Sequence, residues 1–188
     1  MRIISGKYKG RRFDVPHTFK ARPTTDFAKE SLFNILSNNY LDFDDAPSAL
    51  DLFAGTGSIS LELLSRGCSR VVSVEKDFRH WQYLHRLAHD LGDEGWKVLH
   101  ADVKNLLAPS RQKDGECDRF NIIFADPPYA LEWLGELPEL VFNSGLLDDT
   151  PDSTSLFILE HGRDYNFSEH PRFIEHRNYG SVNFSFFK

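Results

Sequence analysis

A chain of 188 residues and 21.6 kDa, 40% hydrophobic and 27% charged, is ordinary for one soluble globular domain that buries a sizeable core. No run reaches the length of a membrane span, and the opening Met1-Arg2-Ile3-Ile4 has no apolar signal core, so a cytoplasmic protein is expected. Cys68 and Cys117 follow neither a metal nor a disulfide spacing, which leaves no expected metal centre.

The net charge of −6 is unevenly placed, because seven Lys/Arg precede Pro23 against the single acid Asp14. A basic head on an acidic body suggests a polyanion contact at one end, and on charge alone a solvated hairpin guarding a sheet edge fits equally well. Residues 1–16 alternate basic and apolar side chains around Gly6 and Gly10, a pattern that predicts two short strands and a turn. A helix then starts near Asp26, capped by Thr24 or Thr25, with Ala28, Leu32, Ile35 and Leu36 as its apolar stripe.

From Ser48 the pattern alternates strand and helix. The apolar run ending in Asp51 feeds the bend Phe53-Ala54-Gly55-Thr56-Gly57 and then an amphipathic helix. Strands are predicted over 70–75, 96–102, 120–126 and 155–160, helices over 77–91, 103–107 and 131–142, and an antiparallel pair over 173–188 turning near Gly180. Such alternation demands a mainly parallel sheet with helices on both faces.

Gly55 and Gly57 let a ligand lie directly on the chain, and the next helix points free N–H groups at the same place. Ser60 occupies the position where a dinucleotide fingerprint has its third glycine, and no Gly-Lys-Ser/Thr follows, so phosphate recognition is disfavoured. Asp51 suits a cationic ligand, and Glu75 with Lys76 ends the next strand, where a carboxylate accepts both hydroxyls of a ribose. Asp102 with the Val103 backbone then reads an adenine edge. An adenosine joined to a charged amino acid, S-adenosylmethionine, meets these demands.

Asp126-Pro127-Pro128-Tyr129 ends a strand predicted to neighbour the bend. The lone pair of an aryl amine is delocalised, so two fixed acceptors, the Asp126 carboxylate and the Pro127 carbonyl, favour the pyramidal geometry needed for methyl transfer. Pro128 adds stiffness, and Tyr129 stacks on a base that has left its helix. Cys68 and Cys117 are poorly placed as nucleophiles. His85 and His89, four apart on one helix, fit a solvated face better than a metal site.

These residues resemble the class I S-adenosylmethionine-dependent methyltransferases, and more narrowly the RsmD family of 16S ribosomal RNA guanine-N2 methyltransferases. The likeness runs through the first eleven residues, Arg22-Pro-Thr-Thr, the glycine bend, Leu64-Ser-Arg-Gly and Asp126-Pro-Pro-Tyr. It implies a Rossmann-like α/β fold with a seven-stranded, mainly parallel sheet ordered 3-2-1-4-5-7-6. It also implies a basic hairpin extension over residues 1–22 and a methyltransferase domain over 23–188. RNA contacts are then expected from Arg2, Lys7, Lys9, Arg11, Arg12, Arg22 and Thr24, on small-subunit ribosomal RNA or an assembling subunit, by a monomer. Methylation of adenine N6 in DNA and a catalytically idle RNA-binding assembly factor are the alternatives.

Overall fold

The computed structural model describes residues 1–16, 19, 26–108, 118–150 and 153–188. Seven strands form one sheet: β1 (Ser48–Asp51), β2 (Arg70–Glu75), β3 (Trp96–His100), β4 (Ile122–Ala125), β5 (Leu156–His161), β6 (Phe173–Tyr179) and β7 (Val182–Phe187). Their order is β3-β2-β1-β4-β5-β7-β6, with β7 antiparallel to both neighbours. The order that the family resemblance implied is therefore the observed one. Among the described residues the α-helices are α1 (Asp26–Ile35), which precedes β1, and α2 (Ser58–Arg66), α3 (Phe78–Leu91), α4 (Val103–Leu106) and α5 (Leu137–Asn143), which lie between strands.

The strands in the middle of the sheet are buried on both faces, as parallel strands require, and alternate residues feed two cores. Ala49, Val71, Ile122, Phe124 and Ile158 pack with α1, α2 and α3, while Leu50, Val72, Ile123, Ala125 and Leu159 pack with α4 and α5. The helix expected over 131–142 forms later, as a 3-10 turn at Leu134–Glu136 followed by α5. Pro138 explains the delay: it sits in the first turn of α5, where a missing N–H costs nothing. The first helix ends earlier than its apolar stripe predicts, because Leu36–Tyr40 form a π-helical turn.

The two arms of the N-terminal block pair as expected, though briefly: around the antiparallel bridge of Arg2 with Arg12, Ile3 N–H donates to Arg11 O and Phe13 N–H to Met1 O, each at 3.0 Å. The outer side of the first arm and the turn rest on α2: Ile4 and Ser5 N–H donate to the Glu62 carboxylate at 2.8 and 3.0 Å, and Tyr8 N–H donates to Ser65 Oγ at 2.9 Å. Lys7 N–H donates to Ser65 O at 2.7 Å, satisfying a carbonyl that the end of α2 leaves open. Gly6 presses so closely on this helix end that a Cβ there would lie 1.8 Å from Ser65 O. The boundary expected between residues 22 and 23, with Arg22 and Thr24, lies outside the described residues.

A buried ion pair holds the block down. Lys29, 1% exposed, donates to Arg2 O at 2.6 Å and Ser58 Oγ at 3.1 Å, and lies 3.7 Å from fully buried Glu62. Burial pulls the Lys29 ammonium below its usual range, and the Glu62 charge opposes that. Removing one partner strands the other charge, so Glu62→Ala is expected to cost about 3–5 kcal/mol. A lowered urea midpoint with an unchanged slope is the expected reading.

Candidate active site

The site is assembled where β1, β2, β4 and β5 end. Past Asp51 the chain bends through Gly55 (φ 53°) and Gly57 (φ 77°), both in the left-handed region that favours glycine. The two glycines do different things. A Cβ on Gly57 would lie 2.7 Å from Cδ2 of fully buried Leu84, so Gly57 serves the packing of α3 and Trp96 against the bend. A Cβ on Gly55 would meet nothing nearer than Phe53 O at 3.9 Å, so Gly55 borders open space that a ligand can fill.

Gly57→Ala is therefore expected to lower stability by about 1–3 kcal/mol through overpacking and backbone strain. Gly55→Ala is expected to cost less stability, about 1 kcal/mol, yet to weaken methyl-donor binding more. Thermal melts and calorimetric titration of both variants check this contrast.

Glu75 braces the bend. Its Oε2 accepts from Gly55 N–H at 2.9 Å and its Oε1 from Asp77 N–H at 2.7 Å, which leaves the remaining lone pairs for ligand hydroxyls. Asp102 caps α4 by accepting from Lys104 N–H at 2.8 Å, and Lys76 Nζ lies 2.7 Å from its other oxygen. That lysine holds the Asp102 carboxyl below the usual carboxylate range. Lys76 and Asp102, expected separately around the donor, are thus one ion pair, and the buried Val103 side chain follows it into the core. Phe53 packs against Trp133 with ring centroids 6.3 Å apart, and Ala54 and Thr56 are buried within the bend.

Asp51 is 1% exposed. Trp96 Nε1 donates to Ser73 Oγ at 2.8 Å, the Ser73 and Ser60 hydroxyls are 2.6 Å apart, and Ser60 Oγ donates to Asp51 Oδ2 at 2.6 Å. Each hydroxyl has one proton, so the donors run in one direction, from indole to carboxylate. Asp51 Oδ1 is buried without a hydrogen-bond partner. Burial pushes this carboxyl up to about 6, against the Ser60 hydrogen bond and with the help of the Glu75 charge. An orphaned carboxylate oxygen beside an open cradle fits a cationic adenosine derivative such as S-adenosylmethionine. Ser60 stands where a dinucleotide fingerprint has its third glycine, and its hydroxyl ties Asp51 to Ser73.

Asp126 follows β4 directly, and its carboxyl is raised well above the ordinary range by burial, then by the charges of Glu160 and Asp51. Pro127 is buried, Pro128 exposed, and Tyr129 is 46% exposed with its ring 3.6 Å from where a Cβ on Gly162 would stand. The structure so brings Asp51, the bend, Asp126 and Tyr129 to one rim. Glu160, at the end of β5, joins them unannounced, although it terminates an apolar run as Asp51 and Asp126 do.

The basic residues of the head are spread out. Arg2 pairs with Asp26 at 3.3 Å near the start of α1, whereas Lys7 pairs with Asp93 at 2.6 Å beyond the far end of α3. Arg11 lies over the Tyr8 and Phe13 rings, and Lys9 and Arg12 are exposed. Among the described residues no three His, Cys, Asp or Glu side chains converge on a metal site, and no helix is long and apolar enough to cross a membrane.

The profile of the family described as conserved hypothetical protein 95 matches residues 1–188. Ribosomal RNA small subunit methyltransferase D of Escherichia coli K12 is 34% identical over 149 residues, 79% of this chain and 70% of its own length. The solved structure of Thermus thermophilus hypothetical protein TTHA0928 is 30% identical with a TM-score of 0.81, covering 100% of this chain and 99% of that one. The T. thermophilus 16S rRNA N2 G1207 methyltransferase, solved with AdoMet and guanosine, shares the fold at 22% identity and a TM-score of 0.66, over 93% of this chain and 46% of that one.

Proposed function

From the premise that this chain belongs to the conserved hypothetical protein 95 family of RsmD-type methyltransferases, we propose that it methylates the exocyclic N2 amine of a guanine in small-subunit ribosomal RNA. The methyl donor is S-adenosylmethionine. What supports the reading most is the meeting, at the ends of hydrogen-bonded neighbours β1 and β4, of a glycine cradle, an orphaned buried carboxylate and an acid stiffened by two prolines.

In this reading Asp51 faces the cationic end of the donor, Gly55 and Gly57 lie under it, Glu75 takes the ribose, and Asp102 with the Val103 backbone takes the adenine. Bound there, S-adenosylmethionine supplies a methyl group already activated by its sulfonium charge. Asp126 and the Pro127 carbonyl each accept one N–H of the guanine amine, which frees the nitrogen lone pair to point away from the ring. Tyr129 stacks on the flipped base. Asp126 then takes the proton that becomes acidic once nitrogen has been alkylated.

The basic head, with Arg2, Lys7, Lys9, Arg11 and Arg12, grips the RNA backbone, and the enzyme works as a cytoplasmic monomer. Incubation with labelled donor, small-subunit RNA and subunit particles, followed by nucleoside analysis, tests the proposal. Label in N2-methylguanosine is expected, and label in N6-methyladenosine, or none, defeats it.

A further inference from the structure

We infer that Glu160 is a specificity-determining residue that accepts the N1–H of the target guanine and thereby selects guanine over adenine. The inference rests on the reading of Asp126 just given.

The sheet places the two acids side by side. β4 and β5 are parallel and pair Phe124 with Ile158 and Ala125 with Leu159, so Asp126 and Glu160 follow at the same level on adjacent strand ends. Side chains alternate along each strand, and Phe124 and Ile158 both face the core formed with α1, α2 and α3. Asp126 and Glu160, each two residues further, project to that same side, which is also the side of Asp51. Glu160 is 4% exposed, and its charge helps to push the Asp126 carboxyl up. The Tyr129 ring lies against Gly162, just beyond the end of β5, so a base stacked on that ring presents an edge to Glu160.

Guanine carries, next to its exocyclic amine, a ring N1–H donor. Once Asp126 and the Pro127 carbonyl have taken the two amine hydrogens, N1–H is the next donor on that edge and needs an acceptor if the base is buried. An ionised carboxylate offers acceptors only. Adenine offers a bare N1 lone pair beside its amine, which a carboxylate repels. Two neighbouring acids thus fit an edge with donors on adjacent nitrogens, whereas an amine beside a bare ring nitrogen has use for only one.

The test uses RNA in which the methylated guanine is replaced by 2-aminopurine, which keeps the C2 amine and N3 but has a lone pair at N1. The wild-type enzyme is expected to prefer guanine by on the order of 100-fold or more in kcat/KM. Glu160→Gln supplies an amide N–H that N1 of 2-aminopurine can accept, so this variant is expected to methylate the analogue faster than the wild type does and to shrink the preference at least about tenfold. Glu160→Ala is expected to lose rate on guanine and, with the repulsion of the N1 lone pair gone, to lose none on the analogue. Donor affinity, read by calorimetry, stays level across the three proteins. Equal losses on both substrates, with the preference intact, would overturn the inference while leaving the proposed function standing. Failure of the wild-type enzyme to label guanine would overturn the proposed function itself.

Discussion

Asp126→Ala is expected to lower kcat/KM for methyl transfer on the order of 1,000-fold or more while leaving donor and RNA affinity within about twofold. A fixed acceptor acts on the geometry of the amine during transfer and contributes little to holding either substrate, so the loss falls on kcat. Asp126→Asn keeps one carbonyl acceptor and gives up the charge, so it is expected to fall between the two. The pH profile separates these roles. Only the carboxylate form of Asp126 takes up the amine proton and accepts with a full charge, and burial, Glu160 and Asp51 hold its own proton on well above the ordinary range. Activity should therefore rise with pH through that elevated value, and this limb should vanish in Asp126→Asn. A parallel loss of RNA affinity in Asp126→Ala would show the acid to be structural.

Asp51→Asn is expected to move stability and function in opposite directions. The Asp51 carboxyl titrates at about 6 in the fold against 3.8 ordinarily, so the folded chain holds this proton to higher pH than the unfolded chain does. Its stabilising contribution is complete below the unfolded value and is lost as pH rises through about 6. An amide carries no such penalty, so the variant should be more stable than the wild type at pH 8 by up to about 3 kcal/mol and gain nothing at pH 4. Donor affinity should drop at least about tenfold at pH 8, because the buried negative charge is gone. In the wild type the same affinity should weaken below about pH 6 as Asp51 is protonated. A variant that melts lower at pH 8, or that binds the donor unchanged, contradicts this account.

Local pattern was enough to find the glycine bend, the strand ends at Asp51, Glu75 and Asp126, and the alternation that demands a parallel sheet. The strand order came from family resemblance, because periodicity states that strands exist and says nothing about which are neighbours. The features that escaped are long-range ones. Lys29 and Glu62 meet only because α1 and the N-terminal block both rest on α2, and nothing local foretells that Ile4, Ser5 and Tyr8 give their backbone N–H groups to that helix. Ser60 looked like the absence of a glycine, yet it joins Asp51 to Ser73 and Trp96. Glu160 ended a strand in plain view, and its company became evident only once β5 was seen beside β4.

The decisive measurement is a crystal structure of the protein soaked with S-adenosylhomocysteine, the spent donor. Density is expected across Gly55 and Gly57, in contact with Asp51 and Glu75, with its sulfur end turned toward Asp126. Density on another face of the sheet, or in the pocket of about 410 Å³ lined by Tyr165, Phe167, His176 and Ser185, would contradict this placement.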